Sequence, residues 1–362
     1  MTAPVAALRN AWATAPGKVI VTGEHAVVYG QPALAAAINR LSTANLTWHT
    51  GHTLSQSLQT SPSLTLAMPQ IDLLRCISLS ELQQLAVQVA VQHEAFLAGK
   101  ANLSELFEQP EDLLLAALGY AISANSLTID QHLTIELQTD LLLGGGMGSS
   151  ASLVSALVAV LLTACGVKFS NQQLVQYVLV AEQWQHGCSS GLDPQVCVQG
   201  GLQSFQAGQA KRLDVSTPEQ LYLVTSGKPR SSTGECVELV RQQQHPAEFW
   251  QQFADLENAI ETVLLDSDIT NKASLVELLK INHRLLQSLQ VVPEKVAAFI
   301  TQVEQTGGAG KVCGAGSIAG EQGGLLLLAG ISDQHIHALC DQAGYEYWPL
   351  KWQQQGVAYG VQ

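Results

Sequence analysis

The sequence predicts an α+β protein of two lobes, and three observations carry that prediction. The chain has 362 residues, too many for one small core when domains usually hold ~100–200 residues. Helical and strand periodicities are mixed along it without strict β-α-β alternation, which favours α+β over a doubly wound sheet. After Gly200-Gly201 the pattern turns towards strands. The lobe boundary is placed near residue 215, dividing the chain into 1–215 and 216–362, with no internal repeat and no long flexible linker.

The elements follow in order. Lys18-Val-Ile-Val-Thr-Gly23 is a β-branched run ending in glycine, as a buried strand running into a turn does, and it sets Glu24 and His25 just past the strand end. Residues 78–124 carry helical spacing rich in glutamine and leucine, interrupted near Gly99 and Pro110. They are expected as two or three helices on the periphery of the first lobe. Residues 132–138 alternate apolar and polar, as a half-exposed strand does. Next comes a glycine-rich segment, then 149–164, so apolar all round that the helix must lie in the core. A second helix is expected over 170–185. Beyond Gly201 the reading gives strands at 201–205 and 221–225, then amphipathic helices at 246–265, 272–289 and 293–305. Strands at 310–316 and 324–330, a helix at 333–343 and a closing strand near 345–350 complete the chain.

Composition narrows the function. A hydrophobic fraction of 47% against 13% charged residues describes a folded chain. The net charge of −13 argues against nucleic acid or an anionic membrane as partner, because either needs a basic face. A nucleotide would have to be held by a local site of backbone amides, a divalent cation and a few lysines. The seven cysteines are odd in number and form no Cys-x-x-Cys pair, so neither a disulfide framework nor a zinc site is indicated. Residues 1–15 do not read as a signal peptide. The longest apolar stretch, 153–164, is shorter than the ~18 residues of a membrane span. A cytoplasmic location is expected.

Three segments carry candidate chemistry. Gly144-Gly145-Gly146-Met147-Gly148-Ser149-Ser150-Ala151 lies between a strand and the long apolar helix. Glycines let the backbone turn its amides towards one point, and the helix N-terminus adds partial positive charge, so the loop can hold a polyphosphate. It has neither the Lys of a Walker loop nor a G-x-G-x-x-G. Taken alone, it is an anion site or a tight turn with Ser149 or Ser150 as a helix cap. In the second segment, Glu182 ends a helix and Asp193 follows in a glycine- and serine-rich loop, Gly187-Cys-Ser-Ser-Gly191-Leu-Asp193-Pro194. Phosphoryl transfer needs one carboxylate to share Mg²⁺ with the phosphates and a second group to accept or orient the hydroxyl proton. Singly, the two read as a surface glutamate and an Asp-Pro turn. In the third, Lys18 and His25 flank one apolar strand with glycines at each end, and a lysine near a reacting hydroxyl stabilises developing negative charge.

Together these segments resemble the GHMP kinases, small-molecule kinases that include galactokinase, homoserine kinase, mevalonate kinase and phosphomevalonate kinase. The resemblance covers most of the chain. APGKVIVTGEHAVVYGQPALAAAI is similar to the family's first motif, in a form nearest the mevalonate kinase branch, and GGGMGSSAS is similar to the second. SSGLDPQVCVQGG resembles that branch's Pro-Ser-Gly-x-Asp segment, with Ser189 in place of proline, and TSGKPRSST, 225–233, resembles its Arg-Ser-Thr region.

The resemblance implies the two-lobed GHMP kinase fold with its active site in the cleft between lobes, an N-terminal domain over 1–215 and a C-terminal domain over 216–362. It implies ATP as co-substrate, Mg²⁺, and transfer of the γ-phosphoryl group to mevalonate. Asp193 matches the catalytic base, and Lys18 the lysine that polarises the substrate hydroxyl. Glu182 and Ser150 match the metal ligands. Gly144, Gly145, Gly146, Gly148, Ser149 and Ser150 match the nucleotide loop, while Glu24, His25 and Thr233 match residues at the acceptor. A homodimer stays open. So does phosphomevalonate as acceptor, which needs a more cationic site, for which Lys228 and Arg230 are candidates. A non-catalytic ligand sensor is disfavoured by the retention of Lys18, Ser150, Glu182 and Asp193. One departure stands out: the third family motif is normally Gly-Ala-Gly followed directly by glycines, whereas Gly314-Ala-Gly316 is followed here by Ser-Ile-Ala-Gly-Glu-Gln before Gly323-Gly324.

Overall fold

Two sheets of unequal size organise the chain. In this computed structural model residues 9–49, 62–187, 189–266 and 272–362 are described. Residues 1–8 of the segment read as lacking a signal peptide, and Cys188 of the Asp193 segment, lie outside them. No described helix is long and apolar enough to cross a membrane.

The larger sheet has eight strands. Its path runs β12 (Ala358–Val361), β1 (Ala11–Thr22), β2 (Ala33–His49), β5 (His132–Thr139), β3 (Ser63–Met68) and β4 (Leu73–Ser78), while β6 (Leu202–Gln206) pairs with β2 and β7 (Gln209–Leu213) with β6. The smaller sheet is antiparallel, in the order β11 (Glu346–Pro349), β8 (Leu221–Thr225), β10 (Leu325–Ala329), β9 (Ala309–Cys313). Strands change sheet between Leu213 and Leu221, and the final strand returns to pair with β1. β1 pairs with β2 through two register shifts, at Pro16/Gly17 and between Ile20 and Thr22. Such irregularities re-aim side chains, and Lys18 lies between them.

Helix α3 (Ser149–Ala164) forms the floor beneath the larger sheet, with thirteen of its sixteen residues buried. A helix apolar on every side needs cover on every side. The sheet covers one face, and the others meet α2 (Asp112–Ala124), α4 (Asn171–His186) and α5 (Leu192–Gln199). The expectation of peripheral helices over 78–124 holds only for α1 (Leu79–Leu97). α2 buries ten of its thirteen residues and is interior. α1 approaches it so closely that a Cβ on Gly119 would stand 2.2 Å from the Leu82 carbonyl oxygen. The second lobe adds α6 (Thr233–Gln242), α7 (Ala247–Leu265), α8 (Lys272–Ser288), α9 (Glu294–Gln305) and α10 (Asp333–Ala343).

Two further differences from the sequence reading have physical causes. The alanine-rich β2 buries its first six residues on both faces, so it shows no alternation to read. The loop expected to carry Asp193 instead closes into α5, where Leu192, Asp193 and Pro194 form the first turn, the part of a helix that tolerates proline.

Candidate active site

The glycine segment and β1 are joined at the backbone. The Lys18 N–H donates to the Met147 carbonyl at 2.8 Å. Gly17 makes this approach possible, since a Cβ there would stand 2.8 Å from the same oxygen. Gly144, Gly146 and Gly148 take positive φ of 70°, 85° and 65°, conformations that side chains disfavour, and Gly148 forms the N-cap of α3. Helices α1, α4, α6 and α10 begin on serine caps, Ser78, Ser170, Ser232 and Ser332, whose hydroxyls accept from the first turn. α3 has no side-chain cap. Its first-turn amides and the positive end of its dipole therefore remain available to an anion.

Beside this loop sits a charge pair whose lysine is buried. The Lys18 ammonium lies 3.2 Å from Oδ1 of Asp193, with side-chain exposures of 6% and 27%, so the carboxylate is the member that solvent or substrate reaches. Burial pulls the Lys18 pKa down, but the charge and hydrogen bond of Asp193, helped by Cys197 and Glu182, outweigh it and leave the ammonium raised. Gly148 lies directly over the pair: a Cβ there would be 2.7 Å from Lys18 Cγ and 3.5 Å from Asp193 Oδ2. One turn along α5, the Cys197 thiol faces the Gly148 carbonyl at 3.9 Å.

Glu182, in the last turn of α4, is pushed up to about 7, by burial first and by the charge of Asp193 second, with the Ser150 hydroxyl and Lys18 drawing it back. Its Oε2 is 3.8 Å from His186 Nε2. Ser150 Oγ donates to Oε1 of Gln185. A buried carboxylate raised this far favours a cation beside it. Two protein oxygens, from Glu182 and Ser150, match the way Mg²⁺ is usually held, by one or two protein groups plus substrate phosphates.

The remaining predicted residues divide into two groups. Thr233, first in α6, lines a cavity of about 340 Å³ together with Gly144, Gly145, Gly146, Lys228 and Arg230. Glu24 and His25 do not line it and are buried, at 1% and 6% exposure. His25, at φ 59°, meets the Ala315 carbonyl through Nε2 at 3.1 Å, and the Glu24 carboxylate is paired with Lys311. Burial raises Glu24, and Lys311 opposes that rise. Sequence reasoning missed Lys311, Gln185 and Cys197. Only Lys311 left a trace, a lone charge within the otherwise uncharged strand Ala309-Gly-Lys-Val-Cys313.

The fold and the loop together define a two-lobed α+β protein whose glycine-rich loop leads into an uncapped helix N-terminus. Residues 112–201 match the GHMP kinases N terminal domain. The mevalonate kinase of Thermococcus onnurineus is 25% identical over 329 residues, covering 84% of this chain and 86% of its own. That of Mus musculus is 27% identical over 386 residues, covering 95% and 94%. The crystal structure of the Methanococcus jannaschii mevalonate kinase superposes with a TM-score of 0.74 at 17% identity, covering 94% of this chain and 98% of that one. The chain is thus similar to the GHMP kinases, in the domain at residues 112–201 and in the fold as a whole.

Proposed function

We propose that this kinase transfers the γ-phosphoryl group of MgATP to the terminal hydroxyl of mevalonate, giving 5-phosphomevalonate and ADP. The observation that carries the reading is the Lys18–Asp193 pair lying directly beneath Gly148, at the uncapped start of α3. It puts a base and a fixed positive charge beside the place where phosphate oxygens would be held. The names of the curated relatives support the choice of alcohol.

In this reading the amides of 144–150 hold the phosphates. Asp193, the more exposed partner, accepts the hydroxyl proton, and Lys18 stabilises the alkoxide as charge develops. Glu182 and Ser150 would hold Mg²⁺, which supplies charge neutralisation on the β- and γ-phosphate oxygens. Ser150 must exchange its present bond to Gln185 to do so. Thr233 lines the cavity beside the glycine loop, where the acceptor would enter, and His25 is buried against Ala315 of the same lining. The pair of exposed cations on the cavity, Lys228 and Arg230, favours an anionic acceptor and keeps phosphomevalonate as the second reading.

A coupled ADP-release assay with mevalonate, phosphomevalonate, galactose and homoserine tests this. Turnover of mevalonate well above the other three is the expected result. Preference for phosphomevalonate would replace the first reading with the second, and silence with all four would refute both.

A further inference from the structure

Lys311 is the most deeply buried charge in the described structure. It sits in the middle of β9, whose five residues are all buried, and it is itself 0% exposed. Its ammonium donates to the Ile20 carbonyl at 3.1 Å and to the Glu24 carboxylate, 287 residues away in sequence, and comes within 4.0 Å of Cys313 Sγ. Removing an ammonium and a carboxylate from water is costly, and a well-packed apolar pair usually holds a fold as well. Simple cohesion therefore gives a weak reason for this pair.

Its position gives a stronger one. Glu24 ends the segment that carries Lys18, while Lys311 belongs to the smaller sheet, just before the third glycine loop. The same two segments are joined again where His25 meets the Ala315 carbonyl. β9 also supports the nucleotide loop: a Cβ on Gly146 would stand 3.4 Å from the Cys313 carbonyl oxygen. Oε2 of Glu24 is buried and has no hydrogen-bond partner among the described residues, whereas Lys311 holds the carboxylate through its other oxygen.

We propose that Lys311 is a positioning residue for phosphoryl transfer, which acts through Glu24 to fix the third glycine loop and the nucleotide loop against the strand carrying Lys18. The inference rests on the kinase reading above. It makes Glu24 the junction between the two sheets and not merely a residue near the acceptor. It also implies that a displacement of β9 is felt at the phosphates.

A double-mutant cycle over Lys311→Met and Glu24→Gln tests it. Each single variant is expected to lose about a hundredfold in kcat/KM, the scale of a misplacement of about 1 Å. The double variant should lose no more than Glu24→Gln alone, because residues acting through one another do not add. Losses that multiply in the double variant overturn the proposal. So does Lys311→Met with a lowered Tm but kcat/KM within twofold of wild type at 25 °C, since a purely structural role moves only the first. If Lys311→Met strands the Glu24 charge and fails to fold, the double variant compared with Glu24→Gln decides by the same criterion. A wild-type protein silent with every alcohol counts against the proposed function alone. The cycle is then read on the MgATP-induced rise in Tm, which needs no acceptor and should show the same non-additivity.

Discussion

Gly148→Ala isolates the contact between the nucleotide loop and the charge pair. Two costs follow from the geometry. At φ 65° the new side chain sits in left-handed backbone, worth about 1–2 kcal/mol of stability. Its methyl group would also stand 2.7 Å from Lys18 Cγ, about 0.7 Å inside the 3.4 Å of ordinary contact, and 3.5 Å from Asp193 Oδ2. The side chain that must yield is Lys18, because the Gly148 backbone is held by the bond from the Ser152 N–H. A shift approaching 1 Å in a reacting group costs up to about a hundredfold in rate. The expected loss in kcat is roughly 30- to 100-fold, or about 2–3 kcal/mol of transition-state stabilisation. Gly166→Ala is the control. It lies at the other end of α3 with nearly the same φ, 68°, and an added Cβ there meets nothing within 4 Å. The two variants should lose similar amounts of Tm, and only Gly148→Ala should lose kcat, with its MgATP-induced rise in Tm retained. Equal kcat in the two variants, or a loss expressed wholly as nucleotide affinity, would refute the reasoning.

Two other outcomes follow from single residues. Asp193→Asn should lower kcat by two to four orders of magnitude, the range for a general base, while the dissociation constant for MgATP measured by calorimetry changes little; near wild-type turnover would remove Asp193 as the base. His283, buried on α8 and facing Arg284 and Lys311, is depressed from 6.5 to about 4, by burial first. A depressed folded pKa gives stability that is complete above the unfolded value and lost as pH falls towards the folded one. Between pH 6.5 and 4 this histidine should cost about 3 kcal/mol at the usual 1.36 kcal/mol per pH unit. Urea midpoints for His283→Gln should decline less over that window than those of wild type, and parallel curves would show that the ring does not contribute.

Legibility in the sequence followed the range of the interactions involved. α10 begins and ends where its composition says, at Asp333 and Ala343, because its Ser332 cap and the glycine after it are local signals. α3 was readable because apolarity on every side has one structural meaning. α2 was not: grouped with α1 under one helical pattern, its nearly unbroken Leu-Leu-Leu-Ala-Ala-Leu run lost its own signal for the interior. At the candidate site the glycines were legible because positive φ demands that residue type, and Lys18 and Asp193 only through the motifs around them. Lys311 was not, since what makes a buried lysine tolerable is a carboxylate 287 positions away. Nothing near residue 311 records that partner.

The charge distribution bears on why MgATP, and not free ATP, is the co-substrate proposed. The chain carries −13 overall, and Glu182 and Asp193 both lie close to the loop that would receive more negative charge. Lys18 offsets only part of this, because its ammonium is already engaged by Asp193. The α3 terminus contributes roughly half a positive charge. Glu182 feels the imbalance directly and is raised to about 7 by burial and by Asp193. A divalent cation between Glu182 and the phosphates would reverse that balance, holding the carboxylate ionised and neutralising the incoming oxygens together. In the proposed reaction the glycine loop would supply the shape of the phosphate site, and the metal the positive charge that the loop and Lys18 lack.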